Sequence, residues 1–327
     1  MALFDRLFSR RPKLPDPVYD PFGGDVALRR VVDELAQGRW RGADELLAAT
    51  RKGDDRAARI GQIVEAAQGP AAWIDEWHAA RNERPEPWLI RGALRIGAAW
   101  AVRGSGAAEE VAEEAWPIFH EKLREAEADL NEAARRGEQD ATPWAYLLIT
   151  GSALGLEPPD LRTRLDEARK RDPQGWLAPW QALNALSEKW CGSHDIMFSL
   201  AREISKTEPV GSQLHTLVAA AHFHRWQYFS MEDPPDPKGQ SRYYDQDDVQ
   251  KELSRAWERG PGSALFKPGR FANGQIALFA FGFSLGEDGD LARAAFEKLN
   301  NRLTLTPWSS LGEPVETFIR FRDAALG

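Results

Sequence analysis

A tryptophan and a proline recur at the same separation in two successive stretches of the chain, and this repeat constrains the fold more than any other feature. Trp144 and Pro173 are followed by Trp180 and Pro209, each 36 residues further along. Within each stretch, apolar residues at three- and four-residue spacing predict two helices. Repeats of about 20–50 residues are typical of stacked helix-turn-helix units, which bury their apolar faces against their neighbours. The sequence therefore predicts a helical-repeat protein.

The helical pattern extends from residue 25 to the end of the chain. Apolar residues lie three or four apart within short blocks, for example Val31 and Leu35, and then Ile60, Ile63 and Val64. Turns containing Gly or Pro separate these blocks, and no stretch alternates between apolar and polar residues for long enough to indicate a strand. We therefore expect an all-α chain.

Residues 1–24 differ from the rest in composition. Leu3, Phe4, Leu7 and Phe8 would share one face of a short helix, with basic residues around them and four prolines after them. This pattern predicts an amphipathic segment on a proline-rich tether. It has two interpretations: a cap that packs Phe4 and Phe8 against the first repeat, or an anchor for a partner or a membrane surface through residues 1–11.

Residues 25–327 are predicted to form a single helical-repeat domain in which two segments break the rhythm. The segment near 107–136 is longer than one repeat helix, so it either extends a helix or inserts an extra one. The segment near 231–248 carries three prolines and an acidic run, and we expect an exposed loop there. Asp247 and Asp248 are expected to begin the next helix, because acidic side chains are favourable at a helix N-terminus.

These positions resemble the tetratricopeptide-repeat family, in which a large residue opens the first helix, small residues lie at the helix crossing and a proline closes the unit. The matching residues are Trp144, Leu147, Gly151, Ala168 and Pro173 in one unit, Trp180, Leu183, Ala201 and Pro209 in the next, and Gly38, Ala43, Gly282, Gly289 and Ala294 elsewhere. The resemblance implies a right-handed α-solenoid of antiparallel helix pairs, in which small residues let helices approach closely. The stretch Lys189–His194 is similar to a turn in an uncharacterised Trp-rich bacterial family of this type.

Composition bears on partners and environment. Acidic residues outnumber basic ones, 50 to 42, and the formal net charge of −8 opposes binding to nucleic acid. The chain has one cysteine, Cys191, so no intrachain disulfide can form. No apolar run approaches the roughly 20 residues of a membrane span, and the N-terminus lacks the pattern of a cleaved signal peptide. We expect a cytoplasmic protein.

Two groups of residues could carry chemistry. Cys191 and His194 are close in sequence, and an accessible thiolate there would be nucleophilic. The alternative is a small buried cysteine in a turn, with Ser193 capping the following helix. His215, His222 and His224 lack the i, i+4 spacing of helical zinc ligands. The sequence predicts no metal site, no cofactor and no catalytic set.

The expected function is therefore binding. A helical solenoid presents the first helix of each unit on its inner wall, a shape suited to a peptide or a partner helix. The candidate groove residues are polar and aromatic residues of these helices: Tyr146, Gln181, Asn184, His222, Arg225 and Trp226. The alternative for Trp180 and Trp226 is a place in the core.

The leading hypothesis is a non-enzymatic scaffold that binds a protein or peptide. One alternative is a regulatory or immunity-type protein that binds and blocks a single partner. The other is a hydrolase that depends on Cys191 or on the histidines near residue 222.

Overall fold

The computed structural model describes residues 14–50, 53–67, 72–104 and 111–327. Nearly all of their regular structure is α-helical, which confirms the predicted all-α class. The helices within these residues are α1 Val26–Leu35, α2 Arg41–Ala49, α3 Asp54–Ala66, α4 Ala72–Arg81, α5 Pro85–Arg103, α6 Ala115–Arg136, α7 Thr142–Ala153, α8 Pro158–Arg171, α9 Leu177–Ala185, α10 His194–Thr207, α11 Leu217–Tyr228, α12 Pro237–Arg242, α13 Asp247–Arg259, α14 Ala272–Leu285, α15 Gly289–Leu299 and α16 Pro314–Leu326. Two short strands, β1 Val18–Tyr19 and β2 Arg302–Leu303, pair in parallel.

Side chains at the helix starts explain where several helices begin. Asp25, Ser193 and Asp288 each accept a hydrogen bond from the backbone N–H three residues later, at the starts of α1, α10 and α15. Such caps satisfy N–H groups that have no partner inside the helix. Prolines occupy the first turn of α5, α7, α8 and α16, where an N–H is not needed. The predicted cap at Ser193 and the predicted helix start at Asp247–Asp248 are confirmed.

The two segments that were expected to break the helical rhythm each contain a helix. α6 is 22 residues long and accounts for most of segment 107–136, while residues 105–110 lie outside the described part of the chain. The predicted loop near 231–248 is interrupted by α12, which Asp236 caps through the N–H of Gly239 at 2.8 Å. Residues 1–13, which hold the predicted amphipathic segment, lie outside the described residues.

Contacts divide the chain into two compact units. The single helical-repeat domain over 25–327 stays a prediction. The N-terminal unit comprises Pro21–Glu208 and Pro268–Phe271. The C-terminal unit comprises Pro209–Lys267, Ala272–Gly327 and the described part of Met1–Asp20. Neither unit is a single stretch of chain. Pro268–Phe271 belongs to the N-terminal unit although it interrupts the sequence of the C-terminal unit, and the segment that ends at Asp20 belongs to the C-terminal unit although it precedes the N-terminal one.

The N-terminal unit contains α1 to α10, and α5 contacts α2, α3, α4, α6 and α7. Its contact with α6 is the most extensive in the unit. A Cβ atom on Gly92 of α5 would lie 2.9 Å from Leu130 Cγ, so glycine is needed for this approach. Trp88 near the start of α5 meets Arg136 at the end of α6, whereas Trp100 near the end of α5 meets Phe119 near the start of α6.

The two stretches that carry the 36-residue repeat, residues 144–173 and 180–209, each span two helices of this unit, and we call them the two frames. Trp144 lies in the first turn of α7 and Trp180 in the first turn of α9, and both are half-buried. Corresponding apolar residues are buried in both frames, namely Leu147 and Leu183, Leu161 and Met197, Leu165 and Ala201, and Ala168 and Ile204. Pro173 and Pro209 each lie two residues beyond the end of a helix. Each stretch of the repeat therefore spans two helices with buried residues at matching positions.

Small residues lie at close approaches in both units. In the N-terminal unit, a Cβ atom on Gly151 of α7 would lie 2.9 Å from Leu161 Cδ2 of α8, and Ala43 of α2 is fully buried. In the C-terminal unit, a Cβ atom on Gly282 of α14 would lie 3.0 Å from Leu253 Cδ1 of α13. Short side chains at these places let the helix backbones come together.

The C-terminal unit contains α11 to α16 and both strands, and its core is aromatic. Trp308, in the 3₁₀ turn Trp308–Leu311, is fully buried, with its ring centroid 5.5–5.9 Å from those of Phe281, Phe296 and Phe318. Arg322 of α16 is 2% exposed and donates a hydrogen bond to the Pro15 carbonyl at 2.7 Å. This bond holds the segment before β1 against the end of the chain.

Candidate functional site

The predicted groove residues fall into two groups, one in each unit. In the N-terminal unit, Tyr146 lies on α7, Gln181 and Asn184 lie on α9, and all three are half-buried. The Tyr146 ring packs against the main apolar core of the unit, and burial raises the pKa of its hydroxyl well above the ordinary value. Tyr146 thus contributes mainly to packing, while Gln181 and Asn184 keep partial access to solvent.

In the C-terminal unit, the predicted groove residues all lie on α11. Trp226 is 5% exposed, and its ring stacks on Phe223 and meets the edge of Phe281 at a centroid distance of 5.0 Å. Arg225 is half-buried, donates to Glu232 Oε1 at 2.8 Å and lies over the Phe229 ring at 3.7 Å. The structure therefore places Trp226 in the core, which is the alternative that the sequence left open for this residue.

His222, the third of these residues, lies between a hydroxyl and a carboxylate. Its Nδ1 is 2.7 Å from the Tyr243 hydroxyl and its Nε2 is 3.2 Å from Glu252 Oε2. A histidine in this position can pass a proton from one group to the other. Tyr243, however, is 6% exposed, and its ring packs against Phe229 and Tyr244. Because the hydroxyl is enclosed by aromatic rings, we interpret the array as a tether that joins α11, α12 and α13.

Cys191 lies in the turn between α9 and α10, where its surroundings oppose a role as nucleophile. Its Sγ donates to the Ser152 carbonyl at 3.3 Å. Burial raises the pKa of the thiol, and the negative charge of Glu157 raises it further. A nucleophilic cysteine needs the opposite shift, because the thiolate is the reactive form. The backbone N–H of His194 bonds to Glu188 at 3.1 Å, at the start of α10.

A small cleft lies in the N-terminal unit where α3, α7 and α9 begin. Its walls are mostly small residues, and its polar lining includes Asp54, Thr142 and Asp172. Oδ1 of Asp54 accepts a hydrogen bond from the Trp176 N–H at 2.9 Å, just before α9. The Asp54 carboxylate therefore accepts a backbone N–H at the start of α9, a role that stabilises the fold.

Three tryptophans from separate segments of the N-terminal unit form a half-buried cluster. Trp100 lies near the end of α5, Trp116 in the first turn of α6 and Trp190 in the turn between α9 and α10. The Trp100 centroid is 5.7 Å from that of Trp190 and 5.0 Å from that of Phe119, which is itself 5.9 Å from Trp116. All three contacts are edge to face. We call Trp100, Trp116, Phe119 and Trp190 the indole cluster.

A guanidinium group lies between two of these indoles. Cζ of Arg103, the last residue of α5, is 5.4 Å from the ring centroids of both Trp100 and Trp116. Each cation–π contact of this kind contributes about 0.5–1 kcal/mol at a partly exposed site. Nη1 of Arg103 also donates to the Gly104 carbonyl at 3.3 Å. The cluster thus contains a position that accepts a planar cation.

The chain around the start of α6 is acidic. Residues 111–121 include Glu113, Glu114 and Glu121, all exposed, and no lysine or arginine. The Glu113 carbonyl accepts the N–H of Trp116 at 3.3 Å, so this acidic stretch leads directly into the indole cluster. Lys122 and Arg124 follow directly, and Lys189 Nζ lies 5.5 Å from the Trp190 ring centroid, so charges of both signs surround the indole cluster.

Trp88, at the other end of α5, provides a contrast with the indole cluster. It lies between the guanidinium groups of Arg91 and Arg136, at 5.0 and 5.2 Å. Arg91 is held by two hydrogen bonds to Asp129, and the Trp88 N–H donates to the Asn82 carbonyl at 2.8 Å. Arg91 is therefore tied to the buried Asp129 carboxylate, whereas Arg136 pairs with Glu132 of its own helix.

The indole cluster is not recognisable as a site from the sequence alone. Trp116, Phe119 and His120 are spaced as neighbours on one helix face, and Trp100 and Arg103 are three residues apart. These spacings predict two local aromatic contacts. Only the tertiary structure brings them together and adds Trp190.

No group of three or more His, Cys, Asp or Glu side chains in the described ranges could hold a metal ion. Among the described helices, none has the length and apolar character needed to cross a membrane. No protein-family model matches the chain, and no curated protein is significantly similar to it. The resemblance to tetratricopeptide repeats therefore stays a prediction.

Proposed function

We propose that this protein is a non-enzymatic helical scaffold that binds a protein or peptide in the cytoplasm, and that the indole cluster is a contact surface for the partner. The observation that carries the proposal is the partial exposure of Trp100, Trp116 and Trp190, three large rings that touch one another directly or through Phe119. Tryptophan and arginine are the residue types in which binding energy is most often concentrated.

The energetics of the cluster support a binding role. A tryptophan side chain removes roughly 150–250 Å² from water when it is fully buried, and three half-buried rings leave a substantial part of that area accessible. Covering apolar area stabilises a complex by about 25 cal/mol per Å², before the entropic cost of association. Contiguous exposed apolar area is typical of interaction sites.

The repeat architecture is part of the same proposal. The matched helices α7–α8 and α9–α10 support a tetratricopeptide-like arrangement. The opposite order of contacts along α5 and α6 supports antiparallel pairs within a solenoid. In such a solenoid, Gln181 and Asn184 would line the inner wall beside Tyr146, and Arg225 would lie beside the buried His222 and Trp226.

Affinity capture with matched variants tests the proposal. We expect the wild-type protein to retain a specific polypeptide from a native lysate, and Trp116→Ala to lose it. Trp180→Ala is the control, because Trp180 is also half-buried in this unit but stacks on Trp176, outside the indole cluster. Each variant must keep the helical circular dichroism signal of the wild type.

Two results would contradict the proposal. One is retention of the same polypeptides by wild type and Trp116→Ala. The other is that no polypeptide is retained by the folded wild type while the purified protein turns over a small substrate.

A further inference from the structure

We propose that His78 makes the contact between α4 and α5 sensitive to pH: the neutral imidazole packs α4 against Trp88, and protonation of His78 weakens that contact. His78 lies in the last turn of α4, and Trp88 lies in the first turn of α5. Both residues are at the opposite end of α5 from Trp100, so this pH-sensitive contact is separate from the indole cluster.

The surroundings of the His78 ring suit its neutral form. The ring meets Trp88 edge to face, with the two ring centroids 4.3 Å apart. His78 Nε2 is shielded from water and has no hydrogen-bond partner in the described part of the chain. A neutral imidazole carries a proton on only one nitrogen, so Nε2 can stay unprotonated. Protonation adds an N–H without an acceptor and a positive charge, and burying a charge costs far more than burying a neutral polar group.

Cations already surround the indole that His78 contacts. The guanidinium groups of Arg91 and Arg136 lie 5.0 and 5.2 Å from the Trp88 ring centroid. Arg136 also pairs with Glu132, which lies on the same helix. The positive charge of Arg91 acts against a charged His78, because like charges near one another disfavour ionisation.

Two carboxylates act in the opposite direction on His78. Both oxygens of Asp129 on α6 accept hydrogen bonds from arginines of α5, so much of this negative charge is already compensated. Asp75 is exposed to solvent, one turn before His78 on α4. Burial is the main reason why the pKa of His78 lies below its ordinary value, and the charges of Arg91 and Arg95 lower it further.

The direction of the pH effect follows from this lowered pKa. A histidine in the unfolded chain has a pKa of about 6.5. Because the pKa of His78 is lower in the folded protein, the unfolded chain binds more protons between the two pKa values. Stability is therefore lost as the pH falls through about 6.5, and the loss is complete below the folded pKa. The free energy that is lost comes from the contact of α4 with Trp88.

NMR titration of the full chain tests the proposal. The carbon-bound ring protons of the six histidines report protonation, and the His78 resonance is assigned with His78→Gln. The indole N–H of Trp88, which donates to the Asn82 carbonyl at 2.8 Å, is followed in the same samples. We expect a His78 midpoint below about pH 6.5. The Trp88 resonance should move with the same midpoint in the wild type, but not in His78→Phe, which keeps a ring there and cannot be protonated.

Two exposed carboxylates of α4 provide a matched pair of variants, Asp75→Asn and Glu76→Gln. Asp75 lies three residues before His78 on the same helix face, whereas Glu76 lies two residues before it on another face. Because the charge of Asp75 favours protonation of His78, Asp75→Asn is expected to move the His78 midpoint to lower pH. Glu76→Gln is expected to move it less. A role of His78 in packing alone would give no such difference.

Urea denaturation on both sides of pH 6.5 measures the effect on stability. We expect the midpoint of the wild type to fall relative to that of His78→Phe as the pH is lowered, and His78→Gln gives the same comparison if the phenylalanine variant does not fold. Three results would overturn the proposal: a His78 midpoint at or above about pH 6.5, a Trp88 resonance that does not follow His78, or a stability difference that is independent of pH.

Discussion

Arg56 illustrates how a single buried charge is made compatible with the interior of the N-terminal unit. The residue is 1% exposed, yet each nitrogen of its guanidinium has an acceptor. Nε donates to Asp140 at 2.6 Å, Nη1 donates to the carbonyl groups of Leu47 and Thr50, and Nη2 donates to Glu86 at 3.3 Å. Removing one member of such a group leaves the others buried and unpaired.

The substitution Arg56→Met is therefore expected to lower the free energy of unfolding by about 3–5 kcal/mol, since it leaves the Asp140 carboxylate without its ion pair. Urea denaturation measures the change. The control is Arg30→Met, which removes a side chain that is 72% exposed and paired with Glu34, and we expect a change within about 0.5 kcal/mol. Similar values for the two variants would show that Arg56 is not a buried ion-pair partner in solution.

Cys191 allows a second test at the residue scale. Burial, and then the charge of Glu157, raise the pKa of its thiol, so the reactive thiolate is scarce at neutral pH. We expect iodoacetamide to modify the folded protein at about pH 7.5 much more slowly than the urea-unfolded protein, in which the pKa returns to about 8.5. Mass spectrometry gives both rates. Equal rates would place Cys191 in an accessible site and would revive the hydrolase alternative.

Among the elements, the contact between α5 and α6 depends on one of two glycines in α5. A Cβ atom on Gly92 would meet Leu130 Cγ at 2.9 Å and the Ala126 carbonyl at 3.1 Å, whereas a Cβ atom on Gly97 would meet nothing within 4 Å. The two positions therefore form a matched pair for the same substitution.

Gly92→Ala is expected to lower the free energy of unfolding by about 1–3 kcal/mol, because α6 must move away from the added methyl group. Gly97→Ala is expected to raise it by up to about 1 kcal/mol, because alanine loses less backbone entropy than glycine when a helix forms. Chemical denaturation of both variants measures these changes. Stabilisation by Gly92→Ala would mean that the two helices are further apart than the structure shows.

Elements differ in how far their sequence predicts them. The starts of α7, α9 and α10 follow from local residues, since a proline precedes Trp144 and Trp180 and Ser193 caps its own helix. α12 was missed because prolines and acidic residues indicate a loop, although Asp236 and Pro237 also form a helix start. None of its six residues is fully buried, so the spacing of apolar residues does not reveal this helix.

The indole cluster and the Arg56 network were beyond prediction for a different reason. Arg56 and Asp140 are 84 residues apart, and Trp190 meets Trp100 across four intervening helices. Periodicity describes which face of a helix is apolar, but it does not determine which faces meet. The solenoid handedness and the groove residues Tyr146, Gln181, Asn184, His222, Arg225 and Trp226 stay predictions.

At the scale of the whole molecule, Asp25 joins distant parts of the N-terminal unit. Its carboxylate caps α1 through the Leu28 N–H at 3.0 Å and accepts hydrogen bonds from Arg59 and Arg270, each at 2.8 Å. Burial by itself raises the pKa of this carboxyl group, but the hydrogen bond from Leu28 and the two guanidinium groups outweigh it. The net pKa lies below the ordinary value, so the charged form stabilises the fold.

The variant Asp25→Asn, which keeps a capping side chain, removes that charge. A carboxyl group with a lowered pKa stabilises the folded state above its unfolded pKa of about 3.9, and the stabilisation disappears as pH falls through the folded pKa. We therefore expect the variant to be less stable than wild type at about pH 7, and the difference to shrink below about pH 4. Urea denaturation at several pH values measures it. A difference independent of pH would contradict the ionic role of Asp25.

Arg270 donates a hydrogen bond to Asp25, 245 residues earlier in the sequence, and this separation affects folding during synthesis. The helices α1 to α10 emerge first, but Pro268–Phe271 is translated only after Pro209–Lys267. At about 5–20 residues per second, that delay amounts to seconds. During this interval Asp25 lacks its contact with Arg270, so the N-terminal unit cannot be completed until most of the C-terminal unit has been synthesised.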